Sequence, residues 1–246
     1  MGRKKFNHAT ETYSSDIPET LDELMFYGLE LDEDQIKFRD AIWDKEKLII
    51  ACNSAAGTGK TSIAVGVANL LVKYGRYDGV VYVVFPTQET KQGYLPGTQE
   101  DKTAPYTQPL MDALVTIGED PIRSIRSSDN LQGIKDGTAF IDVCADTFMR
   151  GINLEHKVVI LDEAQNGYGD TLKKVLTRIH DSSKAIIIGH SGQCDIIKHP
   201  ERSGFLQYLK AFERSNDNRI AICNLTINHR GFISTFCDNV KFDWEK

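Results

Sequence analysis

Short apolar runs rich in Val and Ile recur along the chain, and segments with the apolar period of a helix lie between most of them. Such a run predicts a strand that is buried on both faces, whereas the helical period predicts an amphipathic helix. Their alternation predicts an α/β fold, a mostly parallel sheet with helices on both faces. We expect about five such strands, drawn from the runs 48–52, 80–85, 139–144, 157–161, 184–189 and 219–223.

The beginning of the chain differs from the rest. Residues 1–15 are polar, which indicates a loosely held arm, and 21–28 predict a short helix. A stronger helical period begins just after residue 31. We therefore divide the chain into an N-terminal arm with a short helix, 1–30, and a single domain, 31–246. Further helices are predicted at 60–74, 172–180 and 204–212 and near the C-terminus.

Composition narrows the class of protein. The chain has 246 residues, of which 41% are hydrophobic and 26% charged, as in an ordinary globular protein. No apolar run approaches the roughly 18 residues that span a bilayer, so we expect no membrane. Five scattered cysteines without a Cys-x-x-Cys pair indicate reduced thiols and a cytoplasmic protein, and make a zinc site unexpected. The net charge of −6 does not indicate a nucleic-acid binder, but leaves room for a local basic surface.

A phosphate-binding loop is predicted where the first strand meets the following helix. Residues 54–61 read Ser-Ala-Ala-Gly-Thr-Gly-Lys-Thr, which matches the P-loop pattern G-x-x-x-x-G-K-T except at Ser54. Lys60 would reach the β- and γ-phosphates, and the Thr61 hydroxyl would bind Mg²⁺. Ser54 fits if its φ stays negative. The alternative is a strand–turn–helix corner with a chance Gly-Lys-Thr. The expected nucleotide-binding residues are Gln35, Ser54, Ala55, Ala56, Gly57, Thr58, Gly59, Lys60, Thr61 and Ser62.

Two carboxylates follow a later predicted strand, 157–161. Asp162 would bind the Mg²⁺ shell together with Thr61, and Glu163 would orient and deprotonate the attacking water. Gln193, after the strand 184–189, could sense the γ-phosphate. An apolar run ending in Asp-Glu is common by chance, but its pairing with a P-loop is a strong signal for a nucleoside triphosphatase.

Gln35 precedes the P-loop at the start of a predicted helix. An amide can accept from N6–H₂ of adenine and donate to N7, so Gln35 is a candidate adenine contact that would specify ATP. The alternative is a surface glutamine at a helix start.

Several ordered blocks resemble the PhoH family of ATPases, which is related to the RecA-like core of superfamily-one helicases. The blocks are Gly-Tyr-Leu-Pro-Gly at 93–97, Pro-Tyr-x-x-Pro-Leu-x-Asp-Ala-Leu at 105–114, Phe-Met-Arg-Gly at 148–151, Leu-Asp-Glu-Ala-Gln-Asn at 161–166, Leu-Thr-Arg-Ile at 176–179 and Gly-x-x-x-Gln-x-Asp at 189–195. The resemblance covers roughly residues 30–235. Besides Ser54, this chain departs from the family at Phe85, where many members have Arg, and at His190, where Asp is expected.

The resemblance implies a RecA-like P-loop fold and Mg²⁺-dependent ATP hydrolysis. It also implies an oligomeric ring, with a hexamer expected, and a role in RNA metabolism. A transition-state arginine is still needed, and Arg230, Arg178 and Arg150 are candidates. Arg230 lies in a stretch resembling a superfamily-one helicase motif and would act in its own subunit, whereas Arg178 could reach a neighbouring subunit. For each of the three the alternative is a surface ion pair.

Three functions remain open at this point. The first is an ATPase acting on RNA or single-stranded DNA as a homo-oligomeric ring. The second is an ATP-dependent switch or scaffold with slow turnover. The third, a ribonuclease, is disfavoured because no additional carboxylate cluster is visible in the sequence.

Overall fold

The computed structural model describes residues 17–86, 106–149, 154–192, 203–238 and 240. Its centre is a sheet of six parallel strands, which confirms the predicted α/β class. The expected count of about five strands was one too low. The strands are β1 (Ile49–Asn53), β2 (Val80–Val84), β3 (Ile141–Ala145), β4 (Val158–Leu161), β5 (Lys184–Gly189) and β6 (Ile220–Cys223). They lie in the order β3-β2-β4-β5-β1-β6.

Helices cover both faces of the sheet. Two apolar clusters lie on opposite faces, and successive residues of β1 alternate between them: Ile50 and Cys52 belong to one cluster and Ala51 to the other. The strands therefore bury both faces, as their continuous apolar composition requires. The described helices are α1 (Glu33–Trp43), α2 (Lys60–Lys73), α3 (Gln108–Thr116), α4 (Pro121–Ser124), α5 (Leu131–Asp136), α6 (Gly169–Leu176), α7 (Gly204–Ser215) and α8 (Phe232–Asp238), with 3₁₀ turns at Asp146–Met149 and Ala164–Asn166.

The short helix predicted at 21–28 is not formed, and turns occupy residues 23–28 instead. Tyr27 and Gly28 both have positive φ, at 58° and 63°, which stops helical growth after a single turn. The segment is nevertheless anchored by packing, because Leu21 and Phe26 are buried in the core. Phe26 lies against Gly66 of α2, where an added Cβ would come within 3.0 Å of its ring.

Because the strands are parallel, the loops that follow β1, β4, β5 and β6 all begin at the same edge of the sheet. The P-loop follows β1, Asp162 follows β4, His190 follows β5, and Leu225 comes shortly after β6. Since β4 and β1 both pair with β5, only one strand separates the P-loop from Asp162. The carboxyl edge of a parallel sheet is where ligands bind in open α/β folds.

Cysteine side chains in the described residues are free thiols. Burial raises the pKa of Cys52 and of Cys144 to about 12, so both are protonated and poorly nucleophilic at neutral pH. Cys194 lies outside the described residues. None of the described helices has the length and apolar character needed to cross a bilayer.

Candidate active site

The P-loop has the backbone that phosphate binding requires. Gly57 and Gly59 adopt left-handed conformations, with φ of 80° and 83°, and α2 begins immediately afterwards at Lys60. The loop closes on the carbonyl of Ala55, which accepts from Thr58 Oγ1 at 3.0 Å and from Lys60 Nζ at 3.4 Å. The first backbone N–H groups of α2 therefore point out of the helix beside a lysine, an arrangement that attracts phosphate.

Ser54 has a negative φ, so the departure from glycine introduces no backbone strain. Its side chain is 3% exposed, and its hydroxyl accepts a hydrogen bond from the Leu225 N–H at 2.6 Å. The Ser54 N–H in turn donates to Gly189 O at 2.9 Å. A glycine here could not make the first contact, so Ser54 ties the P-loop to the chain that follows β6.

Thr61 and Asp162 come together across the sheet edge. Thr61 Oγ1 donates to Asp162 Oδ2 at 3.1 Å, and the Tyr82 hydroxyl donates to the same carboxylate oxygen. Burial, together with the nearby charge of Glu163, raises the pKa of Asp162. Hydroxyl and carboxylate oxygens are the ligands that Mg²⁺ prefers, and a divalent cation would offset the cost of burying this carboxylate. The residues therefore fit a magnesium ion held by Thr61 and Asp162.

Glu163 is exposed at the same edge and has a strained backbone, with φ of 50°. Its N–H donates to Asp162 Oδ1 at 2.8 Å, and one of its carboxylate oxygens accepts from Gln165 Nε2. The other end of the Gln165 amide accepts from the His190 N–H at 3.0 Å. Gln165, 3% exposed, thus links Glu163 to the end of β5. In the sequence, Gln165 is one residue of the block 161–166, and no pattern there indicates its role.

Gln35 is buried against the P-loop. Its Nε2 donates to Thr58 O at 2.9 Å, and its Oε1 accepts from the Asp32 N–H at 3.1 Å in the capping box of α1. Both ends of the amide therefore have protein partners here, and the contact with adenine stays a prediction. An added Cβ on Gly59 would lie 2.9 Å from Gln35 Nε2, so a side chain there would displace the amide in addition to straining the backbone at its positive φ.

The segment 225–230, which we call the flanking segment, runs beside the P-loop. The His229 N–H donates to Gly57 O at 2.8 Å. Asn228 and Arg230 lie against Gly57, where an added Cβ would come within 2.7 Å of Asn228 Oδ1 and 3.0 Å of the Arg230 side chain. A side chain at position 57 would therefore require the side chains of Asn228 and Arg230 to shift.

The structure separates the candidate arginines. Arg230 is at the P-loop, whereas Arg178 lies beyond the end of α6, two residues after Leu176. The helix expected to reach residue 180 ends early because Ile179 forms a bridge with Leu154, which precedes β4. The Arg178 backbone therefore lies toward the amino edge of the sheet, away from the P-loop of its own chain, and its guanidinium donates to Lys174 O. Arg150 and Gln193 lie outside the described residues.

This sheet, with a P-loop after β1 and a buried aspartate after β4, defines a RecA-like P-loop NTPase fold. Among solved structures, the large terminase from a thermophilic bacteriophage is similar in fold, with a TM-score of 0.53 and 12% identity over 88% of this chain and 52% of that chain. The chain belongs to the family of PhoH-like proteins, whose family model matches residues 30–230.

Curated relatives agree with this assignment. Protein PhoH of Escherichia coli (strain K12) is 31% identical over 183 residues, which are 74% of this chain and 49% of that protein. The PhoH-like protein of Bacillus subtilis (strain 168) is 35% identical over 145 residues, 58% of this chain and 42% of that protein. The chain thus matches about half the length of these relatives.

Proposed function

We propose that the protein binds ATP with Mg²⁺ at the carboxyl edge of its sheet and hydrolyses the γ-phosphate. One observation carries the proposal: Thr61 on the P-loop and Asp162 after β4 are in direct contact, at 3.1 Å, although they are far apart in sequence. A P-loop without this partner could be an anion-binding corner. With it, and with Glu163 next in sequence, the site has both a metal-binding pair and a base.

Each residue has a physical role in this proposal. The backbone N–H groups of the P-loop and the ammonium of Lys60 neutralise the triphosphate and the charge that develops on its γ-oxygens. Thr61 and Asp162 would hold Mg²⁺, which would supply positive charge to offset the negative charge of the phosphates. Glu163, exposed at the edge, accepts the proton of the attacking water, and Gln165 restricts the orientation of that carboxylate. Arg230, beside Gly57, stabilises the transition state; the role of γ-phosphate sensor is assigned to Gln193.

The test is steady-state ATP hydrolysis with a matched binding measurement. Glu163→Gln removes the base but keeps the shape and the hydrogen bond with Gln165, so we expect kcat to fall about 10²-fold or more with ATP affinity retained. Lys60→Ala should lose both binding and turnover. Glu155→Gln, at an exposed carboxylate that precedes β4 and so lies at the opposite end of that strand from Glu163, is the control and should keep full activity. Normal turnover in Glu163→Gln would contradict the assignment.

We further propose that RNA or single-stranded DNA is the partner and that the protein acts as a homo-oligomeric ring. The support is the family resemblance together with the presence of one RecA-like sheet in the described residues, since motors of this type close two such domains around ATP. A neighbouring subunit would then supply the second face. Stimulation of hydrolysis by single-stranded RNA or DNA at low salt, where phosphate contacts are strongest, tests this point. An unchanged rate would contradict it.

One observation favours the alternative of a slow switch. His190 directly follows β5, at a position where the family resemblance leads us to expect Asp, so the site lacks one carboxylate expected near the metal-binding pair. If this matters, the protein binds ATP but turns over slowly, and His190→Asp should raise kcat without changing affinity. No increase would remove the reason for preferring a switch.

A further inference from the structure

Asp32 connects two parts of the protein that are far apart in sequence. Its Oδ1 accepts from the N–H groups of Asp34 and Gln35, both at 2.9 Å, and so caps the N-terminus of α1. Its Oδ2 is 2.9 Å from His229 Nε2 in the flanking segment. The same carboxylate therefore holds the helix that carries Gln35 and the segment that carries Arg230.

His229 is attached at both its backbone and its ring. The backbone N–H donates to Gly57 O in the P-loop, and the ring contacts Asp32. The side chains of its neighbours Asn228 and Arg230 pack on Gly57. His229 thus attaches residues 228–230, which we call the Asn228–Arg230 corner, to both the P-loop and α1.

Two other hydrogen bonds of this corner do not attach it to the P-loop or to α1. Arg230 N donates to Asn228 Oδ1 at 2.8 Å, and Asn228 Nδ2 donates to Ser234 Oγ at 2.9 Å, so both contacts stay within the C-terminal part of the chain. Two further attachments lie upstream: Leu225 N to Ser54 Oγ, and Thr226 Oγ1 to Asp34 Oδ2 at 2.8 Å. The Asp32–His229 contact is the side-chain attachment nearest to Arg230.

Asp32 is suited to hold a histidine. Partial burial acts to raise its pKa, but hydrogen bonds from the Gln35 N–H, His229 and the Asp34 N–H outweigh burial and lower the pKa. The Asp32 side chain is only 16% exposed, so its carboxylate is largely shielded from water at the point of contact. A carboxylate partner orients an imidazole more strongly than a neutral acceptor would.

We propose that Asp32 and His229 are positioning residues, whose contact holds the Asn228–Arg230 corner against the P-loop so that Arg230 meets the γ-phosphate of bound ATP. The inference rests on the proposed function, because it presumes hydrolysis at this P-loop. It adds to that function a link between the N-terminus of α1 and the transition-state arginine. Loss of the contact should therefore reduce turnover more than ATP binding.

The experiment compares kcat with the dissociation constant for a fluorescent ATP analogue in the presence of Mg²⁺. His229→Ala should lower kcat about tenfold or more while changing affinity by about twofold or less, since small misplacement of a catalytic group has large effects on rate. His229→Gln should restore much of kcat, because its amide nitrogen can occupy the place of Nε2. His156→Asn, at an exposed histidine, is the control and should match the unmodified protein.

A double-mutant cycle with Arg230→Ala tests whether His229 affects kcat through Arg230. If His229 acts through Arg230, adding His229→Ala to Arg230→Ala should lower kcat no further. An equal loss in both backgrounds would overturn the proposal, as would full activity of Arg230→Ala. If His229→Ala fails to fold, Asp32→Asn, which keeps an oxygen for the helix cap, takes its place in the cycle.

The two proposals fail in different ways. An unmodified protein that does not hydrolyse ATP would overturn the proposed function, and the positioning proposal with it. Hydrolysis that depends on Glu163 but not on His229 or Asp32 would overturn the positioning proposal alone.

Discussion

At the scale of single residues, Ser54 shows how a departure from a motif can carry a contact. The P-loop pattern has glycine at this position, yet the serine hydroxyl accepts the buried Leu225 N–H and lies 3.3 Å from Cys52 Sγ. Buried backbone N–H groups need partners. The Ser54 hydroxyl therefore supplies the hydrogen-bond acceptor that the buried Leu225 N–H needs.

Removing this hydroxyl should destabilise the protein. Ser54→Ala leaves the Leu225 N–H without its acceptor, which should lower the free energy of unfolding by about 1–3 kcal/mol in urea titrations. Ser54→Gly should cost the same, plus a smaller amount for the added backbone freedom. If Ser54→Ala is as stable as the unmodified protein, the hydroxyl contributes nothing, and only the backbone effect of glycine remains.

Lys184 has contacts that its place in a predicted buried strand does not reveal. It is fully buried at the start of β5, and its ammonium donates to Asp44 O at 2.7 Å and also to Lys47 O. Burial, together with the nearby charge of Arg76, lowers its pKa to about 7. The side chain thus fastens the loop between α1 and β1 to the amino edge of the sheet.

Lys184 should make stability depend on pH. Between about 7 and its ordinary value of 10.5, the unfolded chain binds more protons at this site than the folded one, so the lysine's burial penalty is full below pH 7 and fades as pH rises. The unfolding free energy of the unmodified protein minus that of Lys184→Met should therefore rise with pH across this window. The upper limit of the slope is about 1.4 kcal/mol per pH unit.

Urea titrations at several pH values from 7 to about 10 measure this difference, and the other titrating groups cancel because both proteins contain them. Parallel pH profiles would show that the buried lysine keeps an ordinary pKa.

At the scale of elements, the P-loop and the flanking segment behave as one unit. Gly57 needs a positive φ for the loop and also lacks a side chain where Asn228 and Arg230 approach. Gly75, after α2, has a similar φ of 69°, but an added Cβ there would meet nothing within 4 Å. Substitutions at Gly57 and Gly75 should share the effect of backbone strain, but only a substitution at Gly57 should displace the flanking segment. Comparing the two positions therefore separates these effects.

Gly57→Ala and Gly75→Ala should lower the stability of the protein by similar amounts but should differ in their effect on Mg-ATP affinity. Both variants should lose about 1–2 kcal/mol of stability, because a side chain disfavours the left-handed region. Gly57→Ala should also weaken Mg-ATP binding about tenfold or more, since Asn228 must move and the loop with it, whereas Gly75→Ala should bind normally. Calorimetric titration with ATP checks this, and equal affinities would contradict coupling between loop and segment.

Element identity was easier to predict than element ends. The strands were recognised because a strand buried on both faces leaves a continuous apolar run. The helix expected at 172–180 instead occupies Gly169–Leu176, because a bridge between Leu154 and Ile179 replaces its last turn. The helix expected at 21–28 gave way to turns whose apolar side chains pack against α2. A tertiary bridge thus ended the first helix early, and the left-handed backbone at Tyr27 and Gly28 prevented the second.

At the scale of the whole molecule, the proposed ring makes a direct prediction about mass. Light scattering should give a multiple of the single-chain mass, with six subunits expected, and Glu163→Gln with Mg-ATP should favour the assembled form because ATP persists in the site. A second copy would then face the P-loop edge, where Glu163 and Arg230 are exposed. A single-chain mass under all conditions would contradict the ring and any motor activity that depends on it.

The sequence by itself determined the α/β class, because strands buried on both faces are continuous apolar runs. It also determined the P-loop with Lys60 and Thr61 and the Asp162–Glu163 pair, because these depend on the spacing of residues that are close in sequence. Tertiary structure alone decided the strand order that brings Thr61 to Asp162 and the partners that surround them. Tyr82, Gln165 and His229 reach the site from β2, from the turn after β4 and from the chain after β6. The contacts of Tyr82 with Asp162, of His229 with Gly57 and of Gln165 with His190 join residues far apart in sequence, so no local pattern records them.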